Sequence, residues 1–261
     1  MLDSGQLDLT GDLMNIPTPH ISLIGKALRL PLRMIPSGTR MPILRGPMRG
    51  KRWIVGASNH GCWLGTYERS VQRVFLTTIK RGDVVYDLGA NVGFYSLLAS
   101  VLVGSDGQVF SFEPAPRNLK FIRRHLELNR VKNCSVFDVA VSSSNGTARF
   151  DFGPHPHLGH LGGDSENAIS MRTVTLDSLV SSGQIKPPNF IKCDIEGAEF
   201  DALTGAAGTL SKYAPVILLA THNPKVHQDC CTLLTDIGYQ LTPLDYPSLH
   251  NASEILAVRR R

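Results

Sequence analysis

Two short stretches hold the residues best suited to chemistry. FIKCDIEGAEF (190–200) crowds Asp194, Glu196 and Glu199 together, and LLATHNPKVH (218–227) offers His222 and Asn223. Carboxylates this close repel one another when buried, unless a cation or a shared proton offsets the charge. Lys192 alternates with Asp194 along an extended chain and so faces the same way. Two chemistries fit. His222 or Asp194 could take a proton from a hydroxyl under attack. Alternatively Asp194, His222 and Asn223 could ligate a divalent cation that lowers a hydroxyl pKa. Glu196 and Glu199 equally suit the first turn of a helix, where the dipole favours negative charge.

A third stretch, VVYDLGANVGFYSLL (84–98), breaks an apolar run with one carboxylate and two glycines. The run before the break is short and rich in β-branched and aromatic residues, as in a buried strand. The run from Phe94 to Val103 has the length and leucine content of a helix. Gly89 and Gly93 therefore lie in a tight strand-to-helix turn that lets a ligand approach the backbone. The turn is not G-x-G-x-x-G, and Asp87 at the strand end is a poor neighbour for a pyrophosphate. It is a good neighbour for a cationic ligand, which favours S-adenosylmethionine over NAD. Glu113 ends the next strand, in QVFSFEPAPRNLKFIRRHLELN (108–129), where a carboxylate can accept both hydrogen bonds of a ribose diol. The strand after that ends near FDVAV, which puts Asp138 or the backbone around Ala140 beside an adenine edge.

Such residues need a scaffold, and the chain supplies an alternating one. Strand signals fall at 84–88, 108–112, 134–139, 189–194, 215–220, 238–243 and 253–258, and helical signals at 70–80, 93–103, 116–129, 199–210 and 224–237. Alternation of this kind predicts an α/β fold with a doubly wound, mostly parallel seven-stranded sheet. The last two strands follow one another without a helix and should form an antiparallel hairpin at one edge. A boundary near residue 70 separates this domain (70–261) from a proline- and glycine-punctuated N-terminal extension or lid (1–69). Between 147 and 180 the rhythm lapses into a short strand, a glycine- and histidine-rich loop and another strand. In that loop, His155, His157 and His160 invite a metal reading, but the flanking prolines and glycines favour acceptor recognition instead.

Composition narrows the classes. The chain has 261 residues, 42% of them hydrophobic, enough for a real core. No apolar stretch reaches the roughly 20 residues that span a bilayer, and the N-terminus has no secretory pattern. The five cysteines are scattered without a CxxC pair, which argues against a disulfide framework or a cysteine zinc site and for a reducing, cytoplasmic setting. The net charge of +5 is concentrated between Asp12 and Glu68, where Lys26, Arg29, Arg33, Arg40, Arg45, Arg49, Lys51 and Arg52 meet no acidic residue. That region could face an anionic substrate or a membrane surface, and 20–35 mixes apolar and basic residues at roughly helical spacing.

Four ordered segments, DLGANVGFYSLLAS, EPAPRNLKFIRRHLELN, VTLDSL and PNFIKCDIEGAEFDALTGA, resemble the FkbM family of S-adenosylmethionine-dependent methyltransferases, a branch of the class I Rossmann-like enzymes. The likeness covers about 68–240. It implies methyl transfer from S-adenosylmethionine to a hydroxyl of a small metabolite such as a sugar, glycolipid or polyketide-like product. It also implies a cofactor site at Asp87, Gly89, Ala90, Asn91 and Gly93, with Glu113 and Pro114 on the ribose side and Asp138 and Asp194 nearby. Glu68, in WLGTYERS, resembles an upstream acidic contact of the family. Many members carry a glutamate where Ala220-Thr221-His222 stands, so the expectation is a base, His222 or Asp194, and no metal. Two other functions compete. A nucleic-acid methyltransferase is opposed by DIEG, which is not the polar-Pro-Pro-aromatic turn of base methylation, and by the lack of a strand-binding module. An inactive cofactor-binding or membrane-associated protein is opposed by the intact Asp87, Glu113 and Asp194.

Overall fold

A computed structural model describes residues 34–151, 160–161 and 169–259. The chain divides into two units, Met1–Pro36 and Ser37–Arg261. The elements of the described residues named below lie in the second, which takes in residues 37–69 together with the sheet domain. Most of 20–35 and of the loop 153–170 falls outside the described residues.

The unit begins with an antiparallel ribbon, β1 (Arg40–Pro42) and β2 (Arg52–Ile54), followed by α1 (Gly61–Leu64) and α2 (Arg69–Thr78). Then come β3 (Val84–Leu88), α3 (Phe94–Val103), β4 (Gln108–Phe112), α4 (Pro116–Leu128) and β5 (Cys134–Phe137). A separate four-stranded sheet follows, built from β6 (Ala140–Val141), β7 (Gly146–Asp151), β8 (His160–Leu161) and β9 (Ile169–Val174). The chain returns through α5 (Leu176–Ser181), β10 (Phe190–Cys193), α6 (Glu199–Thr204), α7 (Ala207–Tyr213), β11 (Val216–Ala220), α8 (Pro224–Asp236), β12 (Gln240–Pro243) and β13 (Glu254–Val258).

The main sheet has seven strands in the order β12-β13-β11-β10-β3-β4-β5, parallel except for β13, which runs antiparallel to both its neighbours. Every residue of β3 and of β10 is buried, as strands covered on both faces must be. From β3 the chain winds outward through β4 and β5, then restarts on the other side at β10 and β11. The strand order thus reverses between β3 and β10, where an open α/β sheet presents a crevice beyond its strand ends. Their register sets Lys192 beside Asp87 and Cys193 beside Leu88.

The helical stretch expected over 199–210 is broken into α6 and α7. At Gly205 a side chain would collide with the Ser142 carbonyl, 2.1 Å from the Cβ position. The Asp177 carboxylate then accepts from Gly208 N–H (2.9 Å) and Thr209 N–H (2.7 Å), capping α7. The aspartate of VTLDSL is thus a structural clamp. The ribbon is fastened to the sheet domain through Trp53, which stacks on His125 of α4 with ring centroids 3.8 Å apart. His125 Nε2 accepts from Ile54 N–H (3.1 Å), while Nδ1 sits 2.8 Å from the Val92 carbonyl. Burial lowers the His125 pKa to about 4, so the ring is neutral and donates from Nδ1.

Candidate active site

At the crevice the β3–α3 turn is dictated by close packing. Gly89 has φ +75° and a Cβ there would lie 1.9 Å from the Asp194 carbonyl, so only glycine fits. Gly89 N–H and Ala90 N–H both donate to Phe112 O at 3.0 Å, which ties the turn to the end of β4. Asn91 follows with φ 49°, a left-handed position that asparagine tolerates. Its N–H donates to Glu113 Oε2 at 2.8 Å. Glu113 Oε1 accepts from Ala115 N–H (2.8 Å) and Asn118 Nδ2 (3.2 Å). Three N–H donors thus fix a carboxylate that is only 5% exposed. Burial, the largest influence, lifts its pKa to about 7 despite those donors.

This turn lines a cleft enclosing about 970 Å³ of open space, with Ser58, Cys62 and Tyr67 at one side and Asp194 and Glu196 at the floor. Beyond Glu113 its wall is apolar, formed by Phe112, Val139, Val141 and Phe150. Of the expected cofactor residues, Gly89, Ala90, Asn91, Glu113, Pro114 and Asp194 line this cleft, and Gly93 caps α3 directly behind it. Three expected residues stand elsewhere, one of them Glu68, which lines an adjoining pocket instead. Asp138 is two-thirds exposed and faces Arg123 at 3.6 Å, because β5 ends at Phe137 and the chain turns out to solvent before Val139 re-enters the wall. Asp87 is 1% exposed and lies behind the turn, where it accepts from Ser96 Oγ at 2.6 Å. Burial raises its pKa, and its second oxygen has no hydrogen-bond partner. Asp87 therefore makes no contact with the cleft.

A second pocket of about 580 Å³ adjoins the first and shares Lys192 and Asp194 with it. Glu68, Thr221, His222, Ser253 and Glu254 complete its polar wall. Glu68 has φ 37° and accepts from Tyr95 Oη at 2.6 Å. Glu254 arrives from the far end of the chain because β13 pairs with β11, setting it opposite Ala220. Burial first, then the charge of Glu68, lifts its pKa to about 7.

The two pockets meet at a cluster of charges. Lys192, 4% exposed, holds Asp194 Oδ2 at 2.9 Å and lies 5.1 Å from the Tyr95 ring centre. Burial would lower its pKa, but Asp194 and Asp87 outweigh burial and raise it. Burial likewise pushes Asp194 up, and Lys192 reverses this, holding it below the ordinary value. His222 Nε2 faces Asp194 Oδ1 (3.4 Å) and Glu196 Oε2 (3.6 Å). His222 Nδ1 meets Glu199 Oε1 at 3.1 Å, and that same oxygen accepts from Gly197 N–H at 2.9 Å. The Glu199 hydrogen bond is the main reason that the His222 pKa rises to about 9. On these charges alone His222 carries a proton at neutral pH, so its nitrogen does not begin as a free base. Asn223 is not part of the cluster, since its Oδ1 caps α8 by accepting from Lys225 N–H (2.8 Å) and Val226 N–H (3.4 Å).

Residues 87–241 match the model of the methyltransferase FkbM domain. The chain belongs to this family. Among curated proteins it is 30% identical over 152 residues to the hexuronic acid methyltransferase AglP of Haloferax volcanii, covering 58% of this chain and 61% of that one. It is 28% identical to the 2-O-methyltransferase NoeI of Sinorhizobium fredii (56% of this chain, 67% of that one). It is 29% identical to the 31-O-demethyl-FK506 methyltransferase FkbM of Streptomyces tacrolimicus (49% and 60%). The alignments thus span about three-fifths to two-thirds of these relatives. Among solved structures, methyltransferase FkbM from Methylobacillus flagellatus aligns with 77% of this chain and 55% of its own, at 18% identity and a TM-score of 0.46.

Some cleft residues had no clear sequence signal. Ser58 and Cys62 come from the N-terminal region without periodicity, and Glu254 reaches the site only by a long-range strand pairing. Asn118 did carry a signal, as a polar residue on the inward face of α4.

Proposed function

We propose that the protein transfers a methyl group from S-adenosylmethionine to a hydroxyl of a small, polyhydroxylated acceptor, with a sugar as the leading class. The observation that carries this is the pair of adjoining pockets sharing Asp194, one lined by the anchored Glu113 carboxylate and apolar side chains, the other by Glu68, Thr221, His222, Ser253 and Glu254. The anchored Glu113 carboxylate fits a ribose hydroxyl, and Phe112, Val139 and Val141 fit an adenine face. When bound, S-adenosylmethionine supplies a methyl group on a positively charged sulfur.

The protein's own residues do the rest. Asp194 and His222 hold the acceptor hydroxyl between them, with Lys192 fixing Asp194 Oδ2 and His222 Nε2 lying 3.4 Å from Asp194 Oδ1. With the cofactor supplying the methyl group, Asp194 Oδ1 would receive the hydroxyl proton. Glu68, Thr221, Ser253 and Glu254 present acceptors and donors suited to sugar hydroxyls. The relatives favour the same class, since one is named for hexuronic acid and two for positions on oxygen. Their partial coverage keeps the acceptor a matter for experiment. The test is S-adenosylhomocysteine release on adding fractionated host metabolites. Release driven by a sugar-containing fraction supports the reading, and release driven only by nucleic acid overturns it.

A further inference from the structure

We infer that the acceptor is an oligosaccharide, and that its further sugar units lie in a groove running from the polar pocket along α8 to Tyr246. The inference rests on the sugar reading of the polar pocket and extends it from one ring to a chain. The groove shares Thr221, His222 and Ser253 with that pocket, so the two are continuous. Beyond them one wall is α8, at Gln228, and the other is the segment between β12 and β13 that carries Tyr246, His250 and Asn251. A single ring held at Asp194 is served by the polar pocket. The groove adds surface that only further units reach.

Three observations make this a surface for carbohydrate. First, Tyr246 is 55% exposed, the most exposed aromatic ring among the described residues, and it stands on the wall of the groove. The face of an aromatic ring carries negative charge density, which suits the C–H face of a sugar, while the phenol stays in water. Second, the neighbouring side chains are the amides of Gln228 and Asn251 and the imidazole of His250, which pair with hydroxyls. Among the described residues that line the groove none is a carboxylate, and Lys225 is tied to Asp229 at 2.6 Å. His222, at the junction, is held by its own carboxylates. A neutral chain fits such a lining, whereas a polyanion calls for several free cations.

Third, the groove is built in advance. His227 lines it and is 6% exposed. Its Nε2 donates to Leu249 O at 2.8 Å, so Nδ1 accepts from Thr221 Oγ1 at 3.0 Å. One buried ring thus joins α8, the turn Leu249–Asn251 and the end of β11. The opposite wall is closed at its stem, where Leu244 N–H donates to Glu254 O at 2.9 Å. Asp245 accepts there from Ser253 Oγ (2.6 Å) and Ser253 N–H (3.0 Å). Tyr246 therefore follows an anchored residue, and binding has little loop ordering to oppose it.

The test uses the full chain and neutral carbohydrates of the host, sorted by size into monosaccharide and oligosaccharide pools. Saturation-transfer nuclear magnetic resonance reads binding without turnover, and S-adenosylhomocysteine release reads turnover. Binding should favour the oligosaccharide pool and persist through a tenfold rise in salt, since no free charge holds the chain. Tyr246→Ala, at an exposed position, should weaken it about tenfold, and any effect on turnover should fall on KM rather than kcat. Gln228→Ala, also exposed, should weaken it less, and Asp138→Asn should not alter it. Absent binding, equal binding of the two pools, binding undiminished in Tyr246→Ala and Gln228→Ala, or binding that collapses with salt overturns the groove. The two claims separate. Oligosaccharide binding that depends on Tyr246 without any S-adenosylhomocysteine release sinks the methyl-transfer reading alone, and release driven only by the monosaccharide pool sinks the groove alone.

Discussion

Glu113→Ala is the most informative single substitution in the cofactor cleft. The carboxylate is fixed by Asn91 N–H at 2.8 Å, Ala115 N–H at 2.8 Å and Asn118 Nδ2 at 3.2 Å, which leaves one lone pair, on Oε2, for a ribose hydroxyl. A hydrogen bond to a charged acceptor contributes about 1.5–3 kcal/mol. Losing it weakens binding by roughly ten- to a hundredfold. The substitution also strands the Asn91 and Ala115 N–H groups at a buried site. A fall in melting temperature should therefore accompany the loss, and it is measured separately by calorimetric melting. The assay is titration calorimetry with S-adenosylhomocysteine, with Asp138→Ala as the comparison. Asp138 sits on the surface facing Arg123, so its removal should leave affinity unchanged. Unaltered affinity in Glu113→Ala, or a large loss in Asp138→Ala, would refute the assignment of the ribose site.

Cofactor affinity should also depend on pH. A ribose hydroxyl donates to the ionised carboxylate, and burial holds Glu113 at about 7, so affinity should be full above that pH and fall as the pH drops through it. Calorimetry from pH 8 to 6 tests this, and a flat profile would contradict it. Gly89→Ala should be severely destabilised, since its methyl group would enter the Asp194 carbonyl, and a melt matching the parent would be inconsistent with the turn. Trp53→Ala removes a fully buried ring stacked on His125 and should cost about 3–5 kcal/mol in denaturant unfolding. His125 is neutral when folded, at about 4 against an ordinary 6.5. The unfolded chain therefore binds its proton first, and stability should decline as pH falls from 6.5 to 4, by up to about 3 kcal/mol. In His125→Gln that part of the acid limb should be flatter.

The sheet was legible because its strands are short apolar runs that end in punctuation. Val84–Leu88 stops at Gly89, and Gln108–Phe112 stops at Glu113-Pro114. Ligand residues carried by those endings could be placed, because a strand end fixes where its next side chain emerges. Asp138 could not, since nothing in FDVAV marks the residue at which the strand leaves the sheet. Gly205 was equally silent, as its break in the helix comes from a distant Ser142 carbonyl. The charge cluster was half legible. Asp194 and His222 were apparent from their strands, but the helix cap that takes Asn223 out of the cluster and the left-handed backbone angle at Glu196 are not revealed by pattern alone.

The central claim is transfer of a methyl group to oxygen, and carbon-13 methyl-labelled S-adenosylmethionine tests it most directly. The purified protein would be incubated with a sugar-containing acceptor fraction, and the label followed by nuclear magnetic resonance. A new methoxyl signal that scales with protein and disappears in Asp194→Asn is the result expected. Label recovered only on nitrogen or nucleic acid, or none transferred while the cofactor binds, would contradict the account.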